Sequence, residues 1–326
     1  MKPLCPPTWQ QLLRQNFVHW EKLADFLELT PAQRQEIDSK PRFSLNMPLR
    51  LAEKVAKGTL EDPILRQFLP TKQERIVNSS FVADPIGDCA SRMSGKLLHK
   101  YKDRVLLLCT SACAMHCRFC FRQNFDYELE NKAFDQELQL IAEDASIHEV
   151  ILSGGDPLSL ANHVLKDLLM KICKIPHIRR IRFHSRFPIG IPERIDSDFL
   201  EIMGGVTCQT WFIVHCNHAR ELDAEVLAHL KRLQKTGAVL LCQSVLLRGV
   251  NDTVETLKEL SEKLVDNGIF PYYLHQLDPV TGSAHFEVEV AAGQALIGEL
   301  TSLLSGYAVP KYVKEIAGQA SKTSLF

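Results

Sequence analysis

The residues best suited to chemistry are four cysteines crowded between Cys109 and Cys120, in a chain of 326 residues that has 10 cysteines in all. Three of them, Cys113, Cys117 and Cys120, have the spacing C-x3-C-x2-C, so one short loop can present three thiolates together. Thiolates are soft ligands suited to iron–sulfur clusters. Three thiolates on a four-iron cluster leave one iron without a protein ligand and open to a substrate or cofactor. A structural zinc site wants a fourth ligand at paired spacing, and His116, between two of the cysteines, is awkward for closing a tetrahedron. Cys109 ends an apolar run and reads as a buried thiol. The remaining cysteines do not suggest a disulfide scaffold, because a cytosolic chain keeps its thiols reduced.

Six apolar runs supply the elements that would hold this loop: Val105–Leu108, Val150–Leu152, Ile178–Phe183, Trp211–Val214, Val239–Leu241 and Tyr272–Leu274. Helical patterns alternate with them, around Glu137–Asp144, Val164–Ile175, Asp198–Met203, Ala224–Thr236 and Val254–Asp266. Strand–helix alternation implies parallel βα units, and right-handed crossovers curl six of them into a partial barrel. The cysteines follow the first strand, and chemistry in such barrels sits at the C-terminal strand ends. The second strand ends in Ser153-Gly154-Gly155-Asp156-Pro157, whose glycines permit φ > 0 and close backbone approach. The predicted class is α/β, with an N-terminal helical region over 1–95, a barrel core over 96–306 and a C-terminal segment over 307–326. Helical spacing from Trp9 onward, the Thr30-Pro31 start, Leu49–Ala56 and Pro63–Leu69 define the helical region.

Composition narrows the partners. Hydrophobic residues make up 45% and charged residues 24%, and 38 basic against 39 acidic side chains give a net charge of −1. That balance gives no reason to expect nucleic acid or an anionic membrane as partner. No apolar run reaches the roughly 18–20 residues that span a bilayer. The opening Met1–Pro7 soon reaches Gln10, Gln11 and Arg14 and has no signal-peptide core, so a cytoplasmic protein is expected.

The cysteine loop resembles the signature of the radical S-adenosylmethionine superfamily, and the Ser153–Pro157 turn resembles its glycine-rich turn. Three further stretches resemble the lysine 2,3-aminomutase family: Tyr101–Leu108 leading into the cysteines, Gln243–Asp252, and Tyr307–Pro310 followed by Lys322. The resemblance runs from Tyr101 to Lys322. It implies a [4Fe–4S] cluster on Cys113, Cys117 and Cys120, S-adenosylmethionine on the open iron, and pyridoxal 5′-phosphate on Lys322. The activity implied moves the α-amino group of L-lysine to C3 by way of a 5′-deoxyadenosyl radical, with an external one-electron reductant. Where the family often has several glycines before the lysine, this chain has Gly318-Gln319-Ala320-Ser321.

Other roles implied by the resemblance are carried residue by residue. Tyr101 and Arg104, with Lys100 beside them, match positions near pyridoxal phosphate. Ser153, Gly154, Gly155, Asp156, Arg186, His215 and Gln243 match positions around S-adenosylmethionine. Arg122 matches the arginine that grips the substrate carboxylate, a task that suits a planar guanidinium. Asp278 and Glu315 match two acids around the lysine side-chain ammonium, with glutamate standing where the family has aspartate. The chain ends four residues after Lys322, and with Glu315 and the helical N-terminal region this resembles the form that makes (R)-β-lysine for a ligase acting on elongation factor P. The alternatives are a free-lysine aminomutase of catabolism or osmolyte synthesis, and a non-catalytic iron–sulfur scaffold.

Overall fold

The runs that lack polar interruption become strands because both of their faces are covered, the condition under which parallel sheets form. In the computed structural model, which describes residues 7–127 and 133–326, one ten-stranded sheet runs β1 to β10 in chain order. Its strands are β1 (Arg92–Ser94), β2 (Leu97–Tyr101), β3 (Arg104–Thr110), β4 (Glu149–Gly154), β5 (Arg180–Ser185), β6 (Gln209–His215), β7 (Val239–Val245), β8 (Phe270–His275), β9 (Lys311–Lys314) and β10 (Thr323–Ser324). Met1–Pro6, part of the opening stretch read above, lie outside the described residues.

The six expected strands are β3 to β8, paired parallel throughout. The sheet curls without closing, and a partial barrel results. β9 extends the parallel set to seven, pairing Tyr273 with Lys311 and His275 with Val313. The edges are antiparallel: β1 and β2 precede β3, and β10 folds back on β9. Tyr101 pairs directly with Arg104 across a two-residue turn in which Asp103 adopts φ 66°.

The helices are α1 (Trp9–Leu13), α2 (Trp20–Phe26), α3 (Pro31–Gln35), α4 (Leu49–Glu53), α5 (Pro63–Arg66), α6 (Asp135–Glu143), α7 (Asn162–Cys173), α8 (Phe187–Gly190), α9 (Ser197–Gly204), α10 (Ala224–Gln234), α11 (Val254–Asp266) and α12 (Val290–Leu303). Thr30 caps α3 with Pro31 in its first turn, as its sequence predicts. The apolar residues of α1, α2, α4 and α5, among them Leu23, Leu51, Ile64 and Leu65, join one buried core with Val105, Leu152, Phe183 and Phe212 of the sheet. Among the described residues no helix is long and apolar enough to cross a membrane.

Candidate active site

The cysteine loop leaves β3 and is gripped from two sides. Outside, the Asn46 amide donates to the Cys113 carbonyl at 3.3 Å and the His116 N–H donates to the Asn46 carbonyl at 2.9 Å. Arg118, fully buried, pairs with Glu74 and donates to the Phe43 carbonyl at 2.7 Å. His116 lies against Ser44, its Nδ1 2.9 Å from that carbonyl, so it turns away from the thiols. Inside, Cys113, Cys117 and Cys120 line one cavity of about 790 Å³. Burial raises all three thiol pKa values, Cys120 to about 11, and the neighbouring cysteines push Cys113 and Cys120 the same way. Ionising three adjacent buried thiols calls for a compensating cation, which iron supplies. Cys109 is buried and its thiol faces the Leu107 carbonyl, as expected of a packing residue.

The glycine turn after β4 is shaped by that loop. Gly154 has φ 118°, and a Cβ there would lie 2.6 Å from the Thr110 carbonyl oxygen. At Gly155 a Cβ would collide with the Ala112 carbonyl. These glycines therefore let β4 pass beneath the cysteine loop as well as leaving the cavity wall bare. The Asp156 carboxylate accepts from the backbone N–H of Leu158, Arg186 and Phe187 and from the Ser185 hydroxyl, at 2.9–3.1 Å. Burial pushes its pKa up to about 6. Its role in this geometry is to position Arg186.

Arg186 donates to the Cys117 sulfur at 2.8 Å, to Glu221 at 2.8 Å and to Gln67 at 2.5 Å. Gln67 closes α5, and its carbonyl also accepts from the Arg118 N–H. The N-terminal helices thus support both the cysteine loop and the cation beside it. Glu221, fully buried, accepts in turn from the N–H groups of Asn217 and His218 at 3.0 Å.

The opposite wall comes from the sheet edges. The β9–β10 hairpin pairs Thr323 with Lys314, which sets Lys322 beside Glu315. The Lys322 ammonium donates to Glu315, and the Tyr101 hydroxyl donates to the other oxygen of the same carboxylate. Glu315 stays below the ordinary carboxylate range: burial would raise it, but Lys322, Tyr101 and Lys100 together outweigh that. Lys100 reaches Asp88 at 2.9 Å and Glu315 at 3.8 Å, and Asp88 meets Arg122 at 2.7 Å. Arg122 also donates to Ser153 at 3.2 Å. Arg104 lies over the Tyr101 ring, 4.6 Å from its centroid.

Between these walls lies a layer of half-buried side chains around the buried Gln243. His215 and Gln243 are register partners on β6 and β7. Burial pushes His215 down to about 4 and holds His184 and His275 well below the usual imidazole value, so all three are neutral. The Nε2 atoms of His184 and His215 and Oδ1 of Asp278 are buried and have no hydrogen-bond partner among the described residues. Burial raises Asp278 to about 7. These orphaned atoms face the cavity and await a polar ligand.

Every residue assigned above from the sequence to cluster, cofactor or substrate lines this single cavity. Sequence reading missed Asp88, Arg182, His184, Asn217, Tyr273 and His275, which line it too. Of these, Arg182, His184, Tyr273 and His275 follow from strand alternation once the inward face is known. The donors fit the expected groups: three thiols for a cluster, bare glycine backbone and the free His215 nitrogen for S-adenosylmethionine, and Lys322 with Arg104, Arg182 and Lys311 nearby for a phosphorylated aldehyde.

A three-thiol loop after the first parallel strand of a partial barrel, facing a ligand-sized cavity, defines the radical S-adenosylmethionine class of enzymes. The model of the 4Fe-4S single cluster domain matches residues 103–180. The L-lysine 2,3-aminomutase of Escherichia coli K12 is 43% identical over 291 residues, 88% of this chain and 84% of that protein. Its counterpart from Haemophilus influenzae is 40% identical, covering 89% and 86%, and that from Clostridium subterminale 32%, covering 97% and 77%. A solved radical SAM methyltransferase from Sphaerobacter thermophilus superposes with TM-score 0.48 at 18% identity, covering 67% of this chain and 68% of that one. The chain belongs to the lysine 2,3-aminomutase family. The family's enzymes are isomerases that work with a [4Fe–4S] cluster, S-adenosylmethionine and pyridoxal phosphate.

Proposed function

We propose that this chain converts L-lysine to (R)-β-lysine, with Cys113, Cys117 and Cys120 ligating the cluster and Lys322 carrying pyridoxal phosphate. The observation that carries the reading is the shared cavity, which has three thiols on one wall, Lys322 on the other and Asp278 in its lining, with Oδ1 buried and unpartnered among the described residues. When bound, the cofactors supply an organic radical and an electron sink for the migrating amine, chemistry that no side chain here performs.

The protein's own contribution is to bind, orient and exclude water. Arg122 has Nε on Asp88 and Nη1 on Ser153, leaving Nη2 free among the described residues to meet the substrate carboxylate. Asp278 and Glu315 take the side-chain ammonium, and two anions facing that position reject an amino acid with an acidic side chain. Arg186 holds positive charge against the Cys117 sulfur and favours an anionic cluster. Ser153, Gly154, Gly155, His215 and Gln243 border S-adenosylmethionine, with Asp156 behind them as a positioning residue. Tyr101 and Arg104 border pyridoxal phosphate.

The decisive experiment is anaerobic reconstitution, then incubation with L-lysine, S-adenosylmethionine, pyridoxal phosphate and dithionite. β-Lysine should accumulate, and lysine returned unchanged by protein with a full cluster would overturn the reading. We further propose that the product serves a ligase acting on elongation factor P, a reading supported by the resemblance of the Glu315-containing form. Deleting the gene should remove the β-lysyl mass from that factor, and an unaltered mass would favour a catabolic or osmolyte role.

A further inference from the structure

A second cavity, of about 630 Å³, opens on the outer side of the cysteine loop, and Phe43 lines both it and the central cavity. The Phe43 ring stacks on His116 with centroids 4.6 Å apart and planes inclined by 23°. His116 precedes Cys117 directly, so the path from outer surface to cluster ligand is one aromatic pair and one peptide unit.

The chemistry of this outer face is distinct. Asp38 is engaged by Arg75 and Glu74 by the buried Arg118, which cancels those charges. Lys40 and Arg42 line the same cavity, are exposed, and have no ion pair among the described residues. Beside them Ile76 is 65% and Val77 94% exposed. Unpaired cations around exposed apolar side chains form a surface for a transient protein partner of opposite charge. Such a contact need bury little area, as in other electron-transfer encounters.

We propose that this face docks an acidic protein that carries one electron at low potential, and that the electron enters the cluster through the Phe43–His116 side of the loop. The proposal rests on the assignment of the cluster to Cys113, Cys117 and Cys120. One electron leaves the reduced carrier, which is oxidised by one equivalent, and the cluster is reduced by one. No bond forms and no proton moves in this step. The central cavity is committed to cofactors and substrate, which leaves the outer side of the loop for the carrier.

The test uses the reconstituted holoenzyme, an acidic flavodoxin in its hydroquinone form, and dithionite as a small reductant that needs no docking. Lys40→Glu/Arg42→Glu should keep wild-type iron content and dithionite-supported cleavage of S-adenosylmethionine. Stopped-flow reduction of its cluster by flavodoxin should slow roughly tenfold or more at low salt and lose its dependence on ionic strength. Calorimetric binding of oxidised flavodoxin to the holoenzyme should weaken in parallel, and Val77→Asp should weaken it with the cations intact. Unchanged flavodoxin reduction in the double variant would overturn the docking face. So would a wild-type cluster that dithionite reduces and flavodoxin does not. Wild-type protein that takes up no iron would overturn the cluster assignment itself, a result distinct from either.

Discussion

The Asp88 carboxylate meets the Arg122 guanidinium at 2.7 Å inside the barrel, with both side chains almost fully buried. Arg122 is therefore neutralised on its Nε side before any substrate arrives, and its orientation is fixed by an acid from the loop ahead of β1. The second oxygen of Asp88 takes Lys100 at 2.9 Å, so one carboxylate organises two cations.

Asp88→Asn leaves both cations short of a counter-charge, and breaking a buried pair costs about 3–5 kcal/mol. We expect a lower urea midpoint together with a raised KM for lysine, while Asp88→Glu recovers part of both. A variant with wild-type midpoint and wild-type KM would show that Arg122 is held by other contacts.

Alanine at Cys113, Cys117 or Cys120 should abolish the bound iron and the brown colour of the anaerobic protein, whereas Cys109→Ala should keep both. Iron analysis and visible absorption decide it. Retention of the cluster by Cys113→Ala with loss in Cys109→Ala would invert the ligand assignment.

Borohydride reduction of the pyridoxal-loaded protein should fix the cofactor on the C-terminal tryptic peptide that contains Lys322. Lys322 faces Glu315 in the cavity. Peptide mass spectrometry locates the label, and finding it on Lys311 or Lys314 would contradict the role of Lys322.

Asp278, raised by burial to about 7, must be ionised to bind an ammonium. kcat/KM for lysine should fall as pH drops below about 7, since that parameter follows free-enzyme groups. In Asp278→Asn this acid limb should vanish and the plateau drop by roughly tenfold to a hundredfold, the loss of about 1.5–3 kcal/mol of charge-assisted binding. Cleavage of S-adenosylmethionine without lysine should persist. A pH profile identical to wild type would refute the ammonium role.

The same shift has an opposite sign for stability. With its folded pKa above the ordinary 3.8, Asp278 favours the folded state when protonated. That contribution is lost as pH rises from about 4 through about 7. At pH 8 the cofactor-free Asp278→Asn protein should melt higher than wild type, by on the order of a few degrees. Equal melting temperatures at pH 8 would mean that Asp278 carries no such strain.

What this sequence determined alone is local. The three cysteines share twelve residues with Cys109, so their common direction needs no distant partner. β4 was readable because a strand buried on both faces is apolar along its middle, and β5 because Ile181 and Phe183 alternate with Arg180, Arg182 and His184. β9 was not readable, because Lys311–Lys314 is only four residues long, with two apolar residues between two lysines. α12 was hidden for the converse reason: Val290–Leu303 is apolar nearly all round, with no side-chain cap, and Gly293 is there because Tyr312 presses against it.

Only the tertiary structure decided the charge pairings. Asp88 and Arg122 are 34 residues apart, and Tyr101 and Glu315 are 214 apart. No periodicity connects such positions, because a side chain's pattern reports its own element while its partner is chosen by sheet order. Tyr101 ends β2 and Glu315 directly follows β9, on opposite flanks of an unclosed barrel, and its curvature brings them into contact. The same curvature left Oδ1 of Asp278 buried and, among the described residues, unpartnered, a state that follows from the space around it and from nothing in its neighbours along the chain.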